Sequence, residues 1–596
     1  MIFQQQRRHR GRRHQGSGRR PPQPPELRRE APREIIIPST SEAPPLRIYA
    51  LGGLEEVGRN CTILECGDDI VILDLGLMFP EEDMPGIDYI IPNITSLVGK
   101  EKNIRGIIIT HGHYDHIGGI PHLIGKLGNP PIYTAPLTAG IIKKRQEEFR
   151  NEGKANIELV RGDSKIQLGK HFVFEPFHIN HNISDAFGAA FQTPYGMVLF
   201  TGDFKFDFSP VNDEPADLQR IALFGARNVL ALFSDSTDSM YPGSQISEKT
   251  VGEELHRIVM DAKGRIIVGT FSSLLTRVQQ LITIAEATGR RILLEGRSMN
   301  ANVEIAKDLG YMKIKPGTIM EAHELRKMPP EKVMVICTGA QGEKNAVLMR
   351  IANKEHQYLS VDQGDTIIFS SSVIPGNERT VQSLKDTLVR HGARIVHYAN
   401  MDVHAGGHAK QDELKLMIRL TMPQYFIPVH GNRFMLQAHG ELAESVKIPA
   451  DHIFIADNGQ IMEFTKTGAR LTKEYVPTEH VMVDGLGVGD VSHVILRERR
   501  QMADDGMFVV IVTLDQKTGQ LIGSPDIISR GFVYMKESRE LIEKARGKVK
   551  KILKEGDRKS PAFEDYIKNK IRNEVGQFLF SQTRRRPMIL PVLIEV

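Results

Sequence analysis

Residues 110–119, which read THGHYDHIGG, decide how this chain is interpreted. They follow an apolar strand-like run at 104–110 and precede a glycine-rich helix start. Imidazole and carboxylate groups at this density suit zinc or manganese. On an extended strand end His111 and His113 point to the same side, and Asp115 and His116 follow one turn later. The spacing predicts two ligands for each of two neighbouring metal ions, an arrangement suited to displacement at phosphorus.

The composition is that of a globular protein with several domains. The chain has 596 residues, 40% apolar and 25% charged, which predicts two to four domains. We expect no membrane span and no secretory signal, because no long apolar run and no apolar leader segment occur. Three cysteines form no disulfide framework and favour a reducing, cytoplasmic location. Cys61 and Cys66 are interpreted as core residues, since no partner pair follows at zinc-site spacing.

The first 46 residues differ from the rest of the chain. They hold ten arginines and four glutamates, a net charge of +6, which leaves −2 for the remainder. Arginine, glutamine and proline predict a disordered tail. Such a tail either attracts RNA in a salt-dependent way or is merely solvated. A transit peptide is less favoured, because the segment is rich in proline and glutamine and poor in serine.

The rest of the chain alternates between strand and helix patterns. Short β-rich runs broken by glycine follow from residue 47, with a helix expected at 136–150. From about 245 to 395 helical and strand patterns alternate, which indicates a parallel α/β layer. A closing hairpin is expected after residue 452. The C-terminal block predicts strands at FVVIVTLD (508–515) and GFVYM (531–535) and a basic helix at 536–554.

Several motifs resemble a known superfamily. HxHxDH is the signature of the metallo-β-lactamase superfamily, and FHINHNISD (177–185) and FTGDF (200–204) are similar to its later motifs. Residues 234–237 (SDST), 404–409 (HAGGHA) and 428–432 (PVHGN) resemble the β-CASP branch, which acts on nucleic acids. His178 competes with His181 for the third histidine position, and the surrounding text favours His181.

Within that branch the resemblance is to the ribonuclease J family. It rests on LGGLEEVGRN (51–60), TGAQGE (338–343), IPGNE (374–378) and ISRGFVY (528–534), and covers roughly residues 47–596. It implies an α/β fold: an αββα metallo-β-lactamase sandwich, an inserted β-CASP α/β domain and a small α+β C-terminal domain. The implied division is a tail at 1–46, the sandwich at 47–243 and 400–464, the insert at 244–399, a linker at 465–480 and an assembly domain at 481–596.

The resemblance also implies roles for individual residues. One metal would take His111, His113, His181 and Asp203, and the other Asp115, His116, Asp203 and His430. Two divalent ions are expected, zinc before manganese or magnesium. His408 would hold the scissile phosphate or protonate the leaving oxygen, with Asp235 orienting it and Asp115 contributing to catalysis. The plainer interpretation of His408 is a buried histidine in a glycine-rich turn. Asp74 is expected to support the metal loop.

The family's exonuclease mode implies a pocket for a 5′-monophosphate. The candidates are Ser273, Arg277, Arg297, Ser298, Ser372, Gly406, Gly407 and His408, with Ser272, Ser370 and Ser371 nearby. Each serine could equally cap a helix or fill a turn. Two positions depart from the family pattern. Gly406 replaces the usual serine and so removes a hydroxyl, and Tyr114 replaces an acidic residue that is not a ligand.

Three functions compete at this point. The first is a two-metal ribonuclease with 5′→3′ exonuclease and endonuclease activity in rRNA and mRNA processing and decay. The second is a hydrolase of small thioesters or lactams. The large insert argues against it, because a small substrate needs no such domain. The third is a non-catalytic RNA scaffold, which would be expected to lack ligands. Single-stranded RNA, further copies of this chain and other RNA-decay proteins are the expected partners. The metal, the balance of activities and the RNA targets stay open.

Overall fold

The computed structural model describes residues 43–596, apart from residues 82, 150–152, 344, 375–376, 486, 492, 519, 536 and 556–562. The tail expected at 1–46 therefore lies almost wholly outside the described residues. All of the described residues belong to one compact unit. None of the helices within these ranges is long and apolar enough to cross a membrane.

The amino-terminal part is built mainly from short strands rich in Ile, Val and Phe, residues whose branched or aromatic side chains suit a pleated surface. Its strands are β1 (Leu46–Gly52), β2 (Cys61–Cys66), β3 (Asp69–Leu73), β4 (Tyr89–Ile91), β5 (Ile104–Ile108), β6 (Pro131–Thr134), β7 (Asn156–Leu159), β8 (Ile166–Leu168), β9 (Phe172–His178), β10 (Phe187–Thr193), β11 (Gly196–Phe200) and β12 (Val229–Asp235). Its helices are α1 (Tyr114–Ile117), α2 (Ile120–Leu123), α3 (Pro136–Gln146) and α4 (Leu218–Gly225).

An inserted domain follows β12. It contains α5 (Glu248–Asp261), β13 (Ile266–Gly269), α6 (Leu275–Thr288), β14 (Arg291–Glu295), α7 (Arg297–Asp308), β15 (Val333–Cys337), α8 (Val347–Ala352), β16 (Thr366–Phe369), α9 (Glu378–Arg390) and β17 (Arg394–His397). The five strands form one sheet in the order β14-β15-β13-β16-β17, and every pair is parallel. The parallel α/β layer predicted from the alternating pattern is confirmed.

The chain then returns to the amino-terminal part. The returning elements are α10 (Gln411–Thr421), β18 (Tyr425–Val429), α11 (Arg433–Ser445), β19 (Gln460–Thr465) and β20 (Gly468–Tyr475). Strands β19 and β20 form the expected hairpin. Because β19 also pairs with β1, both strands belong to the first sheet. Most of the linker expected at 465–480 is therefore strand, and the sandwich extends to Tyr475.

Two sheets pack face to face to form the sandwich. One has the order β20-β19-β1-β2-β3-β5-β6-β7, and the other β18-β12-β11-β10-β9-β8. Buried side chains of both, such as Phe174, Phe200 and Phe464, form the core between them. On the outer side of the second sheet, apolar residues of α4, α10 and α11 pack against it. Helices α1–α3 contribute to the core on the outer side of the first sheet. The predicted αββα sandwich is confirmed.

The C-terminal part contains β21 (Val481–Asp484), β22 (Gly487–Val488), α12 (His493–Asp505), β23 (Met507–Leu514), β24 (Asp526–Arg530), α13 (Arg539–Glu555), α14 (Phe563–Thr583) and β25 (Met588–Glu595). Strand β21 pairs with β4, which ties this part to the sandwich. Strands β24, β23 and β25 form a separate sheet.

The strand predicted at 531–535 is wrong. The strand is β24, at 526–530, and Gly531 at φ +68 ends it. Beyond it, Ser529 bonds both the N–H and the carbonyl of Val533, which makes a turn. The sequence did not predict α12, α14 or β25, although β25 pairs with β23 over its whole length.

Candidate metal centre

Strand ends bring the predicted ligands to one place. Strands β9, β11, β12 and β18 run in the same direction, because β10 is antiparallel to both β9 and β11 while β12 and β18 continue parallel to β11. His181, Asp203 and His430 follow the carboxyl ends of β9, β11 and β18. His111 and His113 follow β5 in the facing sheet. The site therefore lies at one edge of the sandwich.

Three histidines form the first candidate ligand group. Nδ1 of His113 lies 3.1 Å from Nε2 of His111 and 3.1 Å from Nε2 of His181. Oδ2 of Asp203 lies 3.7 Å from Nε2 of His111 and 3.8 Å from Nε2 of His181. The competitor His178 instead contacts the carbonyl of Glu214 at 2.8 Å, away from this group.

The second group contains Asp115, His116, Asp203 and His430. Nε2 of His116 is 3.2 Å from Oδ2 of Asp203 and 3.5 Å from Oδ2 of Asp115. His430 places Nε2 at 3.4 Å from Oδ2 of Asp115 and Nδ1 at 3.1 Å from Oδ1 of Asp203. The ligand atoms of each group all lie within 4.8 Å of one another. Asp203 lies against both groups.

Neighbouring groups fix the orientation of these rings. Asp74 accepts the backbone N–H of Thr110 at 2.8 Å and contacts Nδ1 of His116 at 2.8 Å, which turns Nε2 of His116 towards the site. Nδ1 of His181 contacts the carbonyl of Gly407 at 2.7 Å, with the same effect. A side chain at Gly407 would collide with His181, since a Cβ there would lie 2.6 Å from its Cε1.

The charge state of the cluster suits divalent cations. Burial lowers the pKa of His111 and His181 well below the usual range, and that of His113 to about 4. These rings are neutral and can offer lone pairs. Burial alone would also lower the pKa of His116 and His430, but Asp203 and Asp115 raise both well above the usual range. The carboxylates of Asp115 and Asp203 need positive charge nearby, because they are withdrawn from water. In addition, Nε2 of His430 makes no hydrogen bond to the described residues.

A histidine–carboxylate pair lies beside the second group. Nδ1 of His408 is 2.8 Å from Oδ2 of Asp235, the last residue of β12. The other oxygen of Asp235 accepts the N–H and hydroxyl of Thr237 at 3.0 and 2.8 Å. Burial alone would lower the pKa of His408, but Asp235 raises it to about 9. Asp235 therefore favours the protonated form of His408, which can donate a proton or a charged hydrogen bond.

The residues expected to form the 5′-phosphate pocket lie in different places in the structure. Ser273, Ser298 and Ser372 follow β13, β14 and β16, at the carboxyl edge of the inserted sheet. That edge faces the segment before His408, because Ser370, directly after β16, donates to the carbonyl of Val403 at 2.7 Å. Gly406 packs closely against Gln245, since a Cβ added at Gly406 would lie 2.5 Å from Nε2 of Gln245.

The two arginines expected in the phosphate pocket lie apart. Arg277 is fully buried and donates to Glu248 at 2.7 Å and to the carbonyl of Val403 at 2.7 Å. Its guanidinium is used inside the protein, so we leave Arg277 out of the pocket. Arg297 is exposed and lines a cleft of about 430 Å³ together with Arg350 and Tyr358.

Sequence reasoning assigned no role to four polar residues near the site: Lys205, Gln245, Glu248 and His404. Lys205, Glu248 and His404 are buried, and Nδ1 of His404 makes no hydrogen bond within the described part of the chain. Lys205 carried one available signal, its position between two phenylalanines directly after Asp203. His404 stood in the quoted motif. Nothing local to Gln245 or Glu248 indicates their partners.

Four family models match successive parts of the chain. They are the metallo-beta-lactamase superfamily at 54–243, the ribonuclease J beta-CASP domain at 263–388, the Zn-dependent metallo-hydrolase RNA specificity domain at 400–453, and the ribonuclease J C-terminal domain at 494–596. A crystal structure of a protein of unknown function from Enterococcus faecalis V583 is similar in fold, with a TM-score of 0.50 and 16% identity, over 70% of this chain and 100% of that one. Fold and site together define a metallo-β-lactamase-type hydrolase of the β-CASP branch.

Comparison with known relatives identifies the family within this class. Ribonuclease J 1 of Streptococcus pyogenes serotype M3 is 39% identical over 92% of this chain and 97% of its own length. Ribonuclease J2 of Bacillus subtilis is 37% identical over 92% and 99%, and ribonuclease J of Thermus thermophilus is 39% identical over 92% and 95%. The chain belongs to the ribonuclease J family and is a metal-dependent ribonuclease.

Proposed function

We propose that the chain uses two divalent metal ions, most readily zinc, to degrade single-stranded RNA from the 5′ end. Ends with a 5′-monophosphate are preferred, and internal cleavage is a second mode. The proposed biological role is the decay and maturation of mRNA and rRNA in the cytoplasm. The observation that carries this proposal is the convergence of seven buried or half-buried donors in two groups, with Asp203 against both, beside His408, whose pKa is raised.

The ligand groups would hold one cation each. When bound, the two cations supply Lewis acidity at phosphorus and an activated water. Asp203 lies against both groups and would set their separation. The ring centroid of His408 lies 5.1 Å from that of His181 and 5.6 Å from that of His430, beside both groups, where it can protonate a leaving oxygen or bind the scissile phosphate. Asp235 holds its ring in place and keeps it charged.

The preferred end indicates which bond breaks. If each shortened RNA must again carry a 5′-phosphate, the bond between phosphorus and the 3′-oxygen has to break. The leaving group is then the 3′-oxygen of the released nucleotide, and it needs a proton. His408 is the protonated side chain that we assign to this step.

We propose that the 5′-phosphate pocket contains Ser273, Ser298, Ser372 and the backbone N–H groups of Gly406 and Gly407. Arg297 is less central, because it lines its own cleft. We add His404, whose buried Nδ1 is free to donate to an anion and whose ring lies 6.5 Å from that of Phe271, in the loop that carries Ser273.

The C-terminal part is proposed to assemble copies of the chain into a dimer or tetramer. One face of its sheet packs on α13 and α14. The opposite face is partly exposed and carries an apolar row, Ile528, Val509 and Leu590, side by side across the three strands. An open apolar sheet face of this kind favours burial against another surface, and a second copy supplies a matching one.

The test is degradation of a labelled single-stranded RNA that carries one, three or no 5′-phosphates. Wild type is compared with His408→Ala and Asp115→Ala, each with added zinc or manganese. We expect release of mononucleotides, fastest from the monophosphate end, and loss of cleavage in Asp115→Ala. Equal rates on all three ends would refute the phosphate preference, and intact RNA under both metals would refute the nuclease.

A further inference from the structure

A buried ion-pair chain connects the sandwich with the inserted domain. Nζ of Lys205, two residues after Asp203, lies 3.5 Å from Oε1 of Glu248, the first residue of α5. Oε2 of Glu248 accepts a hydrogen bond from Arg277 of α6 at 2.7 Å. All three side chains are almost completely buried. The backbone N–H of Lys205 also donates to the carbonyl of Asn180, next to the ligand His181.

The far end of this chain holds the segment that leads to His408. Arg277 donates to the carbonyl of Val403 at 2.7 Å, and Ser370 donates to the same carbonyl at 2.7 Å. Val403 directly precedes the segment 404–408. The start of the catalytic segment is therefore fixed by the inserted domain.

A second connection reaches the other end of the segment. The carboxylate of Glu413 accepts the N–H of Phe206 at 2.9 Å and the N–H of Gln245 at 2.8 Å. The side chain of Gln245 donates to the carbonyl of His408 at 2.8 Å and to Asp238 at 2.7 Å. Residues 245–248, where the inserted domain begins, thus reach both ends of the segment, His408 directly and Val403 through Arg277.

The energetics argue for positioning rather than stability. Burying three charges costs more than their attraction generally returns, and apolar replacements are often as stable. Burial alone would raise the pKa of Glu248, but Arg277 and Lys205 lower it to about 2, so the carboxylate stays charged. The charges fix the geometry between the loop after β11, the start of α5 and α6.

We propose that Gln245, Glu248 and Arg277 are positioning residues, referred to below as the junction. Through the carbonyls of Val403 and His408 they hold His408 against the loop that carries Asp203, so that the placement of the inserted domain sets the rate of the chemical step. This inference rests on the proposed role of His408, and it extends to residues outside the candidate ligand groups.

The experiment compares Glu248→Gln with a matched control. Glutamine keeps the size of the side chain and removes the charge that joins Lys205 and Arg277. The control is Asp365→Asn, which neutralises another buried carboxylate of the inserted domain. Asp365 pairs with Arg265 and makes no hydrogen bond or ion pair with the segment 403–408 among the described residues. Both full-length variants are assayed at a temperature where their circular dichroism shows them folded.

Two readouts are taken. The first is kcat and KM on monophosphorylated RNA, with bound metal measured on the same samples. We expect kcat of Glu248→Gln to fall about 10- to 100-fold, because small misplacements of a catalytic group have costs of this size, while KM and metal content stay within about twofold. Asp365→Asn should keep kcat within about twofold. The second readout is hydrogen–deuterium exchange of peptides that cover 403–408, which should rise in Glu248→Gln alone.

The outcomes separate the two proposals. Equal kcat in both variants, together with unchanged exchange at 403–408, would refute the positioning role proposed for the junction. A fall in kcat that only follows loss of metal would overturn it as well. If wild type cleaves no RNA, the nuclease proposal fails, while the exchange measurement still decides whether Glu248 holds the segment. Restoration of kcat by Glu248→Asp, which keeps the charge, would support the junction, and failure of that variant to exceed Glu248→Gln would count against it.

Discussion

Replacing Asp235 by asparagine tests the acid role of His408 with little change in shape. Asparagine can keep the acceptor that binds Thr237. It places an amide where a carboxylate oxygen now lies 2.8 Å from Nδ1 of His408. The positive charge on His408 then loses the partner that raises its pKa to about 9.

The size of the effect follows from the charge pair. Two unit charges about 4 Å apart, at an effective dielectric constant of about 20, attract by about 4 kcal/mol. If the transition state loses this amount, the rate falls by about a thousandfold, since about 1.4 kcal/mol corresponds to a factor of ten. Removing a general acid usually costs about 10²- to 10⁴-fold, which agrees with this figure.

The assay is single-turnover cleavage of monophosphorylated RNA, run in parallel on RNA with sulfur in place of the 3′-oxygen at the first linkage. A thiolate leaves without a proton, so the loss in Asp235→Asn should shrink strongly on the sulfur substrate. Asp365→Asn is the control, because it neutralises a buried carboxylate that pairs with Arg265 in the inserted domain rather than with His408 or Gln245. A loss below about fivefold with metal intact, or an equal loss on both substrates, would refute the acid role.

Three further predictions concern the surroundings of the site. Asp74→Ala removes the partner of His116 and Thr110 and should weaken metal binding by about 10- to 100-fold in a competition titration; unchanged affinity would contradict the orienting role. Gly406→Ser should slow cleavage about tenfold, because its Cβ would displace Gln245, whereas a faster enzyme would show that the missing hydroxyl matters more. Leu590→Lys should lower the mass measured by light scattering without unfolding the chain, and an unchanged mass would rule out this face as the contact.

Local spacing explains how much of the site the sequence could predict. His111, His113, Asp115 and His116 fall within six residues, so their shared position follows from strand and helix geometry alone. His181, Asp203 and His430 are separated by long stretches, and only resemblance to the family indicated them. Their convergence depends on which strands run in the same direction, which no local pattern encodes.

Arg277 shows where sequence reasoning failed. An arginine after a Ser-Ser loop at a helix start looks like part of a phosphate cradle. The structure buries it against Glu248, 29 residues earlier in the chain. Burial is a property of the tertiary fold, so sequence alone cannot distinguish a phosphate-binding arginine from an internal one. The same holds for β25, whose partner β23 lies some 80 residues earlier.

The central claim is that this chain cleaves RNA with two metal ions. It is tested most directly by titrating the metal-free protein with zinc or manganese while bound metal and RNA cleavage are measured together. We expect two ions bound per chain, and cleavage that appears as the second site fills. Full cleavage with one ion bound, or cleavage that persists when chelator has removed all metal, would contradict it.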